Sequence, residues 1–132
     1  MSTIKDKNLA TIGQQEVDWA ARQMKVLEEI KTEFSSSKPL NGLNIGACMH
    51  VTKETANLML TLKAAGANVA LCASNPLSTK DSVAAYLSEN DIEVHAVHGV
   101  SNDDFFNHLN SVLDTKPDIT ICLLYTSDAA DE

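Results

Sequence analysis

Three short apolar runs, separated by segments of helical length, constrain this chain more than any other feature. They lie at residues 43–49 (Leu-Asn-Ile-Gly-Ala-Cys-Met), 68–73 (Asn-Val-Ala-Leu-Cys-Ala) and 92–97 (Ile-Glu-Val-His-Ala-Val). Thr52 can cap a helix over residues 53–65, which Gly66 stops. Ser78 with Asp81 three residues on has the form of a capping box and opens a helix to about residue 89. Ser101 with Asp104 repeats the pattern and opens a helix that ends before Pro117, and a fourth strand begins at residues 119–121. Each crossover is long enough for a right-handed βαβ unit, which predicts a parallel sheet. Runs as evenly apolar as residues 68–73 suit strands covered on both faces. The expected fold class is α/β: a three-layer, Rossmann-like parallel sheet with flanking helices. Ahead of it, Val17, Ala20, Ala21, Met24, Leu27, Ile30 and Phe34 share one face of a single helix predicted over residues 14–34, ended by Ser35-Ser36-Ser37-Lys38-Pro39.

The 132 residues suffice for one domain. With aromatics at 5%, its core must rest on aliphatic side chains. A net charge of −8 offers no basic footprint for a phosphate backbone, which argues against nucleic acid. No apolar run reaches membrane-spanning length, and the polar residues 1–8 do not form a signal peptide. Cys48, Cys72 and Cys122 show no CxxC spacing, and they read as reduced thiols of a cytoplasmic protein. The last eleven residues, 122–132, begin as strand and then turn small and acidic. They resemble translated sequencing-adapter read-through, so the natural domain is expected to occupy residues 1–121; the plainer alternative is a genuine frayed C-terminus.

Open parallel sheets bind ligands beyond the carboxyl ends of their strands. Polar residues gather there: His50 to Thr55 after the first strand, Ser74 to Thr79 after the second, His98-Gly99 after the third. His50 stands at a strand end just ahead of a helix N-terminus. An imidazole there can move protons, and the helix dipole favours its neutral form. The plainer reading is a structural histidine bonded to backbone. Thr52 reads first as a cap, Glu54 as an acidic residue favoured in a first helical turn, Asn75-Pro76 as turn chemistry and Ser78 as a cap. His95 and His98 have H-x-x-H spacing, but on a strand they face opposite ways, so no shared metal is expected, and His108 is assigned to a helix elsewhere. The five glycines form neither G-x-G-x-x-G nor a P-loop, so no dinucleotide site is expected on this chain.

Gly46-Ala47-Cys48-Met49-His50-Val51-Thr52-Lys53-Glu54-Thr55-Ala56 is similar to the first-strand signature of the S-adenosylhomocysteine hydrolase family. Ala70-Leu71-Cys72-Ala73-Ser74-Asn75-Pro76-Leu77-Ser78-Thr79-Lys80-Asp81 resembles the second, with lesser matches at residues 17–24 and 38–42. The resemblance implies reversible cleavage of S-adenosylhomocysteine to adenosine and homocysteine. In that chemistry a bound NAD oxidises the ribose 3′-hydroxyl, the neighbouring C4′ proton becomes acidic, and homocysteine leaves from C5′. It implies that His50 transfers a proton around C5′ and the leaving sulfur. It implies further that Thr52 binds substrate, that Glu54 accepts from the adenine amino group, and that Met49 lies beside the adenine. Asn75 and Ser78 line the same crevice, and full-length members form homotetramers. The family's fourth strand ends in an Asp-Asp-Gly run carrying a catalytic aspartate, where Cys122 and Leu123 stand here. Lys25 replaces a frequent proline and is taken as a surface change. Without the family's later segments, this chain is expected to be inactive alone. The alternative is a relative that acts through partners rather than catalysis.

Overall fold

The computed structural model describes residues 1–123. The region ahead of the sheet is two helices, not the single one predicted over residues 14–34. A 3-10 turn, Lys7–Leu9, leads into α1 (Ala10–Ala21), and α2 follows at Lys25–Ser37. Between them the backbone tightens: Gln23 and Met24 donate to the carbonyls of Ala20 and Ala21 at 2.9 and 3.0 Å, and Met24 leaves helical geometry at φ −115°, ψ 57°. The reason is tertiary. The apolar face of α1 buries Val17 and Ala20 against α3 and α4, whereas α2 packs chiefly on α3 and buries no residue fully. One straight helix could not follow both surfaces. The three serines stay helical, with Ser35 and Ser37 donating back to the carbonyls of Lys31 and Glu33, and Lys38 ends α2 in the left-handed region at φ 47°.

From there the chain alternates as the apolar runs predict: β1 (Asn44–Cys48), α3 (Lys53–Ala64), β2 (Asn68–Cys72), α4 (Asp81–Glu89), β3 (Glu93–His95), α5 (Asn102–Leu113) and β4 (Ile119–Cys122). The strands are shorter than their apolar runs because ladder pairing stops first; along β2, the β3 ladder covers only Ala70 to Cys72. Thr52 caps α3 by accepting from the Thr55 amide, and Ser101 caps α5 by accepting from that of Asp104. Gly66, at φ +100°, takes the left-handed turn just past α3. The Ser78–Asp81 capping box does not form. Lys80 is the N-cap of α4 without a side-chain bond, and the Ser78 hydroxyl bonds Asn75 instead. The β2–α4 turn therefore competes successfully for that hydroxyl.

All four strands are parallel, in the order β3-β2-β1-β4. The two crossovers step the same way from β1, and the right-hand preference of such units puts α3 and α4 on one face, where their buried side chains share a core. The return from β3 to β4 carries α5 over β1, β2 and β3 on the other. These are the three expected layers, and α1 adds an outer tier against α3 and α4. Alternation along the strands divides the core. Ile45, Ala47, Val69, Leu71 and Val94 pack with Met59, Val83 and Leu87 on the α3–α4 side, while Cys48, Ala70 and Cys72 meet Val112 on the α5 side. Each fully buried large side chain, such as Met59 or Leu71, contributes roughly 1.5–3 kcal/mol. Cys72, Cys48 and Cys122 stand abreast in register across β2, β1 and β4.

The N-terminal residues pair with the free side of β3, which the polar sequence of residues 1–8 does not announce. Thr3 donates to Val94 and accepts from Ala96, and the Met1 amine lies 3.1 Å from a Glu93 carboxylate oxygen. No helix among the described residues is long and apolar enough to cross a membrane. The expected boundary after residue 121 concerns a segment that lies, apart from Cys122 and Leu123, outside the described residues.

Candidate functional site

The order β3-β2-β1-β4 reverses direction between β1 and β4, and the loop leaving β1 carries Met49, His50, Val51 and Thr52 at that switch point. Both sides of this loop are pinned. The Met49 amide donates to the Cys72 carbonyl at 3.1 Å, and the Thr52 amide donates to the His50 carbonyl at 3.0 Å. Val51, fully buried, donates to the Ser78 carbonyl at 2.8 Å and accepts from the Lys80 amide at 2.9 Å. The result is a fixed backbone that leaves the His50 side chain exposed.

Beside this loop runs a groove of about 790 Å³. One wall is Met49 with Glu54, Thr55 and Leu58 of β1's exit and α3. The other is the α1–α2 turn and α2, with Met24, Leu27 and Ile30 at the apolar surface and Arg22, Gln23 and Lys25 bearing polar groups. Glu54 is more than half exposed, in the first turn of α3, and its carboxylate lies 3.9 Å from the Lys53 ammonium. That surface pair is weak, which leaves the carboxylate available as an acceptor. Thr52 is partly buried; its hydroxyl caps α3 through the Thr55 amide and lies 3.4 Å from the Thr55 hydroxyl. Lys53 itself extends over the Trp19 ring, 5.1 Å from its centroid.

The structure thus brings Met49 and Glu54 into one groove, with His50 and Thr52 on the loop between them and outside its lining. Asn75 and Ser78 sit across the Val51 bridge on the neighbouring loop. Their polar atoms bond within it: Asn75 Oδ1 accepts from the Leu77 amide at 2.9 Å, and Ser78 Oγ donates to the Asn75 carbonyl at 3.0 Å. Thr55, Leu58 and the α2 wall were not singled out from sequence. An amphipathic pattern shows that α2 has an apolar face, not that part of it is left open. Lys25 is exposed, as a surface change should be, yet it borders the groove. It is the first residue of α2, a position where proline is well tolerated.

His95 and His108 are also closer than the sequence suggests. The His95 ring bonds Thr3 Oγ1 and Glu93 Oε1, each at 3.1 Å, and its centroid lies 6.4 Å from that of His108 on α5. Burial, followed by the neighbouring His95, holds His108 below the usual imidazole range. Among the described residues no group of three or more His, Cys, Asp or Glu is placed to hold a metal ion.

These features define a parallel α/β domain with a partly apolar groove and a strand-end histidine at the carboxyl edge of its sheet. The family model described as S-adenosyl-L-homocysteine hydrolase matches residues 1–131. The chain is 49% identical over 119 residues to an adenosylhomocysteinase of Aquifex aeolicus, with 89% of this chain and 28% of that protein covered. It is 47% identical over 116 residues to the adenosylhomocysteinase of Sulfolobus acidocaldarius, covering 88% and 28%. A third relative, from Saccharolobus solfataricus, is 50% identical over 110 residues, covering 83% and 26%. The chain belongs to the S-adenosyl-L-homocysteine hydrolase family, and it spans about 28% of the length of the first relatives it matches.

Proposed function

We propose that this chain forms the nucleoside-facing part of the substrate-binding domain of an enzyme that reversibly hydrolyses S-adenosylhomocysteine to adenosine and homocysteine. In this reading the adenine enters the groove beside Met49, and Glu54 accepts from its amino group. Thr52 binds the sugar side while capping α3. His50 faces C5′ and the thioether sulfur. Overall the C5′–S bond breaks, water supplies the new C5′–O bond, and a proton reaches the leaving thiolate; His50 is the group that carries that proton. The observation that supports this best is the convergence of Met49, His50, Thr52 and Glu54 at the carboxyl end of β1, beside a groove of about 790 Å³.

NAD, which the family resemblance implies, has no fitting seat on the described residues. A dinucleotide needs bare glycine backbone where the first strand enters its helix, and here that turn holds the buried Val51 and the capping Thr52. No step is derived through it on this chain. NAD and a homotetrameric assembly belong to the reading at the level of the full-length enzyme, in a cytoplasmic setting, and residues 1–121 are the portion proposed to contribute. The 132-residue chain alone is expected to be inactive, because the chemistry NAD supplies is what acidifies the C4′ proton.

The test is a chimera in which residues 1–121 replace the aligned segment of the Aquifex aeolicus adenosylhomocysteinase. It should hydrolyse S-adenosylhomocysteine. His50→Asn should reduce kcat by roughly 10²–10⁴, and Glu54→Gln should raise KM for adenosine in the synthetic direction. A folded chimera without turnover, or one indifferent to His50→Asn, defeats the reading.

A further inference from the structure

We propose that Ser78 is a positioning residue for His50: its hydroxyl locks the β2–α4 loop, whose backbone in turn fixes the loop that presents the imidazole. The inference rests on the proton-transfer role of His50 proposed above, but its geometry stands separately.

The Ser78 hydroxyl has one proton to give and two lone pairs to offer. It donates to the Asn75 carbonyl at 3.0 Å and accepts from the Asn75 amide at 3.2 Å. The hydroxyl of Ser74, itself buried, lies 3.4 Å away as the third partner. No capacity is left over for a ligand. The same turn is closed by the Ser78 amide to the Asn75 carbonyl at 3.3 Å and by Asn75 Oδ1 to the Leu77 amide at 2.9 Å. It is anchored to the neighbouring loop after β3 by the Gly99 amide, which donates to the Pro76 carbonyl at 2.8 Å.

This closed turn acts on His50 through backbone alone. The Ser78 carbonyl accepts from Val51 and the following Lys80 amide donates to Val51, so Val51 and Thr79 form an isolated parallel bridge beyond the ends of β1 and β2. Val51 is 0% exposed and cannot shift without opening the core. His50 is therefore held between Met49, tied to Cys72, and Val51, tied to Ser78 and Lys80. Among the described residues no hydrogen bond or ion pair holds its side chain, so the orientation of the imidazole depends on this backbone. Catalytic groups tolerate little misplacement, and a shift of about 1 Å can cost on the order of 10²-fold in rate.

The test uses the full 132-residue chain, labelled for NMR. In Ser78→Ala the amides of Val51 and Lys80 should exchange roughly tenfold faster than in the parent, with those of Leu71 in β2 unchanged. The His50 imidazole resonances should move. Ser78→Thr, which keeps the hydroxyl, should restore both readouts. Should Ser78→Ala fail to fold, Asn75→Ala removes a single bond of the same turn and should move the same readouts in the same direction to a smaller extent. Val51 exchange and His50 imidazole resonances identical to the parent in the folded variant would overturn the proposal. So would reduced adenosine-induced shifts in Ser78→Ala with Val51 exchange unchanged, since that is the behaviour of a direct ligand contact. If adenosine shifts no resonance of the parent chain and the chimera is inactive while the Ser78→Ala readouts hold, the proposed function fails and the clamp stands.

Discussion

Gly13 of α1 rests directly on the backbone carbonyl of Ser82 in α4, with no space between them for a methyl group. This contact seats the outer helix on the inner layer. A Cβ at residue 13 would meet the carbonyl and, at 3.0 Å, the Tyr86 Cβ; neither is the flexible end of a side chain. Gly13→Ala should therefore destabilise the chain by about 1–3 kcal/mol despite alanine's better helix propensity. Urea unfolding would show a lower midpoint at constant slope. A more stable Gly13→Ala variant would mean that α1 does not pack this closely.

Acid should destabilise the protein in two stages. Burial lowers the His108 pKa, so the unfolded chain binds the extra proton first. The contribution from His108 is complete above the ordinary imidazole value of 6.5 and is lost as pH falls through and below it. Partial burial alone would raise Glu93, but hydrogen bonds from His95 and the N-terminal amine, with their charges, outweigh it and hold the carboxyl below its ordinary 4.5. Its contribution is present above 4.5 and disappears on further acidification. Chemical denaturation across pH 7 to 3 should show His108→Gln flattening the upper stage and Glu93→Gln the lower. An unchanged profile in both variants contradicts the assignment.

Cys48 should be inert. Its hydrogen-bonded contact with the Cys72 thiol, then burial, then repulsion from Cys72 push the Cys48 thiol far above the ordinary range, against a smaller opposing effect of Cys122. Iodoacetamide at pH 8 should leave Cys48 unmodified in the native chain and alkylate it once urea is added, as read by peptide mass spectrometry. Modification of Cys48 in native buffer at the rate of a model thiol would show that this part of the core opens readily.

Much of the fold is legible in residue order. Thr52 and Ser101 cap helices where their positions say they should, Gly66 turns the chain after α3, and the apolar runs become parallel strands. Less of the candidate site is. The cluster at the end of β1 follows from strand–helix alternation, but the wall facing Glu54 comes from α2, some 25 residues earlier in the chain. Ser78, read as a cap, closes a turn instead. A hydroxyl that can bond either of two nearby backbone groups has its choice made by the surrounding packing.

The sequence by itself determined the α/β alternation, two of the helix caps and the gathering of His50, Thr52 and Glu54 near one strand end, because these depend on interactions within a few residues. Only the tertiary structure decided the break between α1 and α2, the pairing of His95 with His108, and the rank of Cys72, Cys48 and Cys122 across the sheet. Local periodicity records which face of an element is apolar. Which surface that face meets, and at what register, is settled by contacts between residues far apart in the chain.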